Sequence, residues 1–165
     1  MKQHQLIFGL ITLVSFSESA FSLEVQSSKK DYCTTQEVND YMSTVSEFYG
    51  AVQAMLDDAS FQKYPEFYNA LNAAVKMSQD PSQRALSNTI KALFDTIKGA
   101  YNKYSSSKTF TDLASGGYER IKSQKDSIET KVDNWKASDC KGNSEWNCYL
   151  GEPNTPCAGT QSKRQ

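Results

Sequence analysis

Val38, Val45, Val52 and Ala59 recur at intervals of seven, and Tyr41/Met42, Phe48/Tyr49 and Met55/Leu56 fall midway between them. An α-helix buries that whole set on one face, because its turn of about 3.6 residues brings positions three and four apart onto a common stripe. Just before the stripe, Thr34 and Glu37 form a Thr-x-x-Glu capping box, the threonine hydroxyl accepting from the third helical amide. The spacing predicts a helix as far as Ala59, frayed at its end where Asp57 and Asp58 oppose the helix dipole.

The same period continues down the chain. Pro65 suits the first turn of a second, shorter helix, where its missing N–H costs nothing, and Phe67, Tyr68, Leu71, Ala74 and Val75 form its apolar face. Asp80-Pro81-Ser82-Gln83 reads as the start of a third helix with the stripe Leu86, Ile90, Leu93/Phe94, Ile97, Tyr101 and Tyr104, stopped by Ser105-Ser106-Ser107. Thr111 is placed to cap a fourth helix from Asp112, interrupted early by Gly116-Gly117 at about 1 kcal/mol per glycine relative to alanine. From Tyr118 its pattern is firm through Ile121, Ile128, Val132 and Trp135. Where the heptad wants an apolar residue it finds Gln124 and Lys125, and a lysine there lays its stem on the core and carries its amine to water. Lys122–Asp126 and Lys125–Glu129 form i,i+4 pairs on a solvated face.

No strand-like alternation, repeat or linker interrupts this pattern before residue 138. Three of the helices have similar lengths, of roughly 24–27 residues at about 1.5 Å each, and their connections are short. The expected fold is therefore all-α: an antiparallel, up-down bundle of about four helices, one short, followed by a disulfide-stapled irregular C-terminal tail. Its segments are a signal peptide at 1–22, a flexible lead-in at 23–33, the bundle at 34–137 and the tail at 138–165.

The signal peptide rests on Lys2, the apolar run Leu6–Phe16, and Ala20 and Ser22 as the small residues before a cut at Leu23. Ser17-Glu18-Ser19 ends the run short of the roughly 20 residues a membrane span needs, so no membrane insertion is expected. Export to a secreted or periplasmic location makes four cysteines read as disulfides. In an up-down-up-down bundle the start of the first helix and the end of the fourth lie at one pole. That favours Cys33–Cys140, with Cys148–Cys157 pinning the tail. The alternative is that Asp80-Pro81 kinks one continuous rod. Cys33 and Cys140 would then lie at opposite ends, and the tail would have to run back for Cys148 or Cys157 to reach Cys33.

Little catalytic chemistry fits this composition. The single histidine, His4, lies in the signal peptide, which removes Ser-His-Asp and Cys-His arrangements and imidazole-ligated metal or haem. The cysteine spacing lacks both the close pairs of a zinc site and a Cys-x-x-Cys redox motif, so no cofactor and no metal are expected. Ser-x-x-Lys recurs at Ser27–Lys30, Ser105–Lys108 and Ser138–Lys141, as chance predicts in a chain rich in both residues. Asp57/Asp58, and Asp40 with Glu47, read as solubilising charge beside an apolar stripe. A net charge of −1 gives no footprint for nucleic acid.

What remains is binding. Trp146, Tyr149 and Leu150 sit in the stapled tail, where rigid aromatic anchors suit an interface with a macromolecular partner; folding back over the bundle's end is the competing use. Alternatively, Tyr41, Tyr49, Tyr101 and Tyr104 line a core holding a small apolar ligand, against the simpler reading in which they fill the core and turn their hydroxyls outward. The expected function is thus non-enzymatic binding outside the cytoplasm, with oligomeric state open. The unreduced, secreted protein should begin at Leu23 and weigh about four hydrogens less than the reduced chain, as two disulfides require; intact-mass spectrometry reads both.

Overall fold

The computed structural model describes residues 32–138, 140, 148 and 149. The chain divides into two units, Met1–Asp31 and Tyr32–Gln165. The first unit, with the signal peptide and most of the lead-in, lies outside the described residues, as do Trp146, Leu150 and Cys157.

Four α-helices carry the second unit: α1 (Thr35–Leu56), α2 (Pro65–Met77), α3 (Ser87–Tyr104) and α4 (Lys108–Ala137). A short 3-10 helix, Ala59–Lys63, joins α1 to α2. Helix α1 packs on α2 and α4, and α3 packs on the same two, so the helices close a ring in chain order. Their directions alternate. Tyr41, near the start of α1, bonds to Ala85, just before α3, whereas Tyr104, at the end of α3, meets Glu66 at the start of α2. This is the antiparallel bundle that the periodicity requires.

The expected stripes form the core. Val45, Phe48 and Val52 of α1, Phe67 and Leu71 of α2, Ile90 and Ile97 of α3, and Phe110 and Ile121 of α4 have no exposed surface. Full burial of each such side chain is worth about 1.5–3 kcal/mol relative to exposure. The polar step in α4 is filled as a snorkelling lysine fills it. Lys125 Nζ lies 4.7 Å from the Phe94 ring centre and pairs with Asp126 at 2.7 Å and Glu129 at 3.3 Å. Burial works against its charge, but those two carboxylates outweigh it and hold the amine's pKa above the ordinary lysine value.

Several boundaries differ from the sequence expectation, each for a local reason. Helix α1 stops at Leu56, short of Ala59, because Asp58 leaves it to cap the 3-10 helix, its Oδ1 accepting from the Ser60 amide at 2.9 Å. Helix α4 begins at Lys108, with Ser107 rather than Thr111 as its cap: Ser107 Oγ accepts from the Phe110 amide at 3.3 Å, while the Thr111 hydroxyl donates to the Lys108 carbonyl at 3.1 Å. Gly116-Gly117 does not interrupt α4. A Cβ on Gly117 would stand 2.6 Å from Met55 Sδ, so the Met55 side chain of α1 occupies the space this glycine leaves.

The largest correction concerns α3, expected to begin at Pro81 and found to begin at Ser87. Asp80 does cap a turn, accepting from the Ser82 amide at 2.9 Å, and the Arg84 amide donates to the Asp80 carbonyl at 2.9 Å. That turn fails to propagate, and Leu86 is extended, with φ −69° and ψ 127°. The Arg84 and Ala85 carbonyls, which a continuous helix would offer to amides four residues on, accept instead from the hydroxyls of Tyr49 and Tyr41. The chain therefore reverses between α2 and α3. Cys33 is bonded to Cys140 with a Cα–Cα distance of 5.5 Å, as the reversal requires and a kinked rod would forbid.

That bond spans 107 positions. Replacing both cysteines by serine should lower the unfolding free energy by up to about 4–5 kcal/mol on the chain-entropy scale, measured by urea denaturation of the non-reduced proteins.

Candidate functional site

The pole where α1 and α3 begin and α4 ends gathers the chain's most specific contacts. Helix α1 brings Tyr41 to it in the second turn and Tyr49 two turns further on. Tyr41 is fully buried, and its hydroxyl donates to the Ala85 carbonyl at 2.5 Å. Tyr49 donates to the Arg84 carbonyl at 2.7 Å, and the Arg84 guanidinium lies 5.8 Å from the Tyr49 ring centre. Trp135, from the last turn of α4, meets Tyr41 edge-on with ring centres 4.7 Å apart.

Beyond Trp135 the chain returns to this pole twice. Cys140 is buried in its bond to Cys33. Cys148 and Tyr149 are buried as well, at 2% and 1% exposure, the Tyr149 ring lying 5.1 Å from that of Tyr41. Ser87 Oγ, at the first residue of α3, donates to the Tyr149 carbonyl at 3.1 Å. Of the three tail residues considered as interface anchors, Tyr149 is thus turned into the bundle. Its ring is buried and pins Tyr149 to the starts of α1 and α3. Cys148 is also disulfide-bonded. The expected Cys148–Cys157 pairing, like Trp146 and Leu150, lies outside the described residues.

Burial shapes the acidity of the two tyrosines. It pushes Tyr41 far above the ordinary tyrosine value, with Tyr149 and Tyr49 nearby adding to the effect. It pushes Tyr49 up to about 12, with the Arg84 charge opposing. Both phenols therefore stay protonated as donors throughout the ordinary pH range.

Tyr101 and Tyr104, the other two candidate ligand-lining tyrosines, belong to the opposite pole. Tyr101 stacks on Tyr118 with ring centres 4.0 Å apart and planes 10° apart. Tyr104 packs edge-on against Tyr64 and gives its hydroxyl to Glu66, which also pairs with Lys103. The four tyrosines are thus divided between two ends. Two hollows among the described residues are open grooves, each lined without a tyrosine. One, of about 330 Å³, runs between Ser87, Asn88 and Lys91 of α3 and Glu129, Asp133 and Lys136 of α4. The other, of about 220 Å³, lies between the end of α1 and the start of α4.

The acidic pairs are engaged singly. Asp57 accepts from Gln53 at 2.7 Å, and Asp40 pairs with Lys131 of α4 at 2.5 Å. Asp58 is held below the usual carboxylate range by its bonds from Ser60. Among the described residues no three His, Cys, Asp or Glu side chains converge as a metal site, and no helix is long and apolar enough to cross a membrane. Sequence reasoning missed the pairing of Tyr41 and Tyr49 with the turn at 84–85. Its only trace is two tyrosines on the α1 stripe where aliphatic residues would pack as well. No protein-family model matches this chain, and neither a curated protein nor a solved structure is significantly similar to it.

Removing the Tyr41 hydroxyl strands a buried carbonyl, so Tyr41→Phe should cost about 1–3 kcal/mol in urea unfolding. The pH dependence has a definite sign. A tyrosine whose folded pKa is raised contributes stability that is complete below the unfolded value of 10.0 and is lost as pH climbs through the folded value, about 12 for Tyr49. Stability should therefore fall above pH 10, less steeply in a Tyr41→Phe/Tyr49→Phe double variant. Tyrosinate absorbance should show these two phenols ionising well above the ordinary tyrosine value of 10.0.

Proposed function

We propose that this chain is an exported, disulfide-clasped helical bundle that binds a macromolecular partner outside the cytoplasm and performs no catalysis. The observation that carries this reading is the anchoring of the tail. Cys140 and Cys148 are both buried at the clasped pole, and only seven residues, Trp146 among them, separate these two anchors in the sequence. A short segment tied down in this way has lost much of its conformational entropy before any partner arrives. Such preorganisation raises affinity without enlarging the contact. Tryptophan is among the residues most enriched where binding energy concentrates.

Export is supported by the apolar run and small-residue cut ahead of Leu23, and by the disulfide, a bond that persists in oxidising compartments. The absence of catalysis is supported by the loss of His4 with the signal peptide and by the separate engagement of the acidic side chains. With Tyr149 serving as the internal pin, Trp146 and Leu150 become the contact residues of the tail.

The test is retention of partner on immobilised mature protein, drawn from the fluid or surface that receives the secretion. Trp146→Ala and Leu150→Ala should each weaken retention at least tenfold, the usual effect of losing about 1.4 kcal/mol at an interface, with unchanged helical circular dichroism. Retention that survives both substitutions in folded protein would remove the tail from this role.

A further inference from the structure

The 220 Å³ notch lies on the bundle's flank, about six helical turns along α1 from Cys33. Met55 and Gly117 form its floor, and Ala54 of α1 and Leu113 of α4 its sides. All of the residues lining it are described ones. Leu113 is the one large hydrophobic side chain exposed among the described residues, at 37%. Asp58 stands at the α1 side of the notch and Arg120 at the α4 side, both exposed. Arg120 has no hydrogen bond or ion pair within the described part of the chain.

Gly116 lies on α4 beside the notch. Gly116 sits in the interior of α4, where glycine is a poor helix former, and a Cβ built on it would meet nothing within 4 Å. It shares an edge of α4 with Leu113, three residues before it, and Arg120, four residues after it. With no side chain there, this edge of α4 stays low between Leu113 and Arg120.

We propose that this face is the contact between two copies of the chain. The patch carries its own apolar projection, Leu113, and its own apolar recess over Met55 and Gly117. It also carries one acid, Asp58 in the connection after α1, and one base, Arg120 on α4. A two-fold axis pairs residue i of one copy with residue j of the other, and j with i. Such an axis seats each Leu113 in the opposite notch and sets each Asp58 against Arg120 of the other copy. No other partner is needed to match both the shape and the charge. The two copies associate as concentration rises.

Sedimentation equilibrium of the disulfide-intact mature protein tests this. The expected mass rises from one chain towards two with concentration, and Leu113→Glu abolishes the rise. Asp58→Arg and Arg120→Asp should each be monomeric alone, because like charges then face each other. Mixed in equal amounts they should form a dimer, since both contacts in the mixed pair again join opposite charges. A wild-type mass that stays at one chain, or a dimer that persists in Leu113→Glu, would overturn the proposal. So would folded single charge variants that remain monomeric when mixed. Asp58 also caps the 3-10 helix, so if Asp58→Arg unfolds, Leu113→Glu at its exposed position decides alone.

Discussion

Two phenolic hydroxyls decide how this chain turns. Tyr41 and Tyr49 reach from α1 to the carbonyls of Ala85 and Arg84 and hold the segment before α3 in place. A buried hydroxyl without an acceptor is expensive, so any path that continued the Asp80 turn straight into α3 would strand the tyrosine hydroxyls. With the turn held, α3 starts beside the start of α1, α4 returns antiparallel to both, and Cys140 arrives at Cys33. The disulfide therefore locks a geometry that packing and hydrogen bonding already specify. Its effect falls mainly on the unfolded chain, whose freedom it restricts.

The two ends of the bundle are built differently. At the clasped pole a few aromatic rings, Tyr41, Trp135 and Tyr149, pack around hydrogen bonds to backbone carbonyls. At the other, Tyr64, Phe67, Tyr101, Tyr104 and Phe110 pack mostly edge to face, the arrangement that ring quadrupoles favour. Aliphatic residues such as Val45, Ile97 and Ile121 fill the core with them. Tyrosine thus serves here as a structural residue with a polar tip.

Helices and caps were legible where one residue's chemistry dominates. Thr34 caps α1, Pro65 opens α2 and the serine run ends α3, because each effect depends on neighbours within a turn. Asp80 shows the limit of such local rules. It makes the cap its sequence promises, yet the helix it should start begins six residues after Pro81, at Ser87, because donors from another helix claim the carbonyls. Gly117 makes the same point in reverse. Read locally it is a helix breaker, but in the fold it is the space that Met55 needs.

The candidate site was legible in part. Cys33 and Cys140 follow from helix count and direction once the reversal is granted, and the tail was marked by its cysteines and aromatics. That Tyr149 points inward could not be read from a segment with no periodicity. By itself, then, the sequence determined the helices, their apolar faces and the residues able to cap or staple them, since periodicity and capping act within a few turns. Only the tertiary structure decided where α3 begins, which cysteines meet and which tail aromatic is spent on the core. Those outcomes depend on groups 44 positions apart, as Tyr41 and Ala85 are, or 107, as Cys33 and Cys140 are. No local preference in the chain encodes such a meeting; it follows from burying four stripes at once while leaving every buried carbonyl a donor.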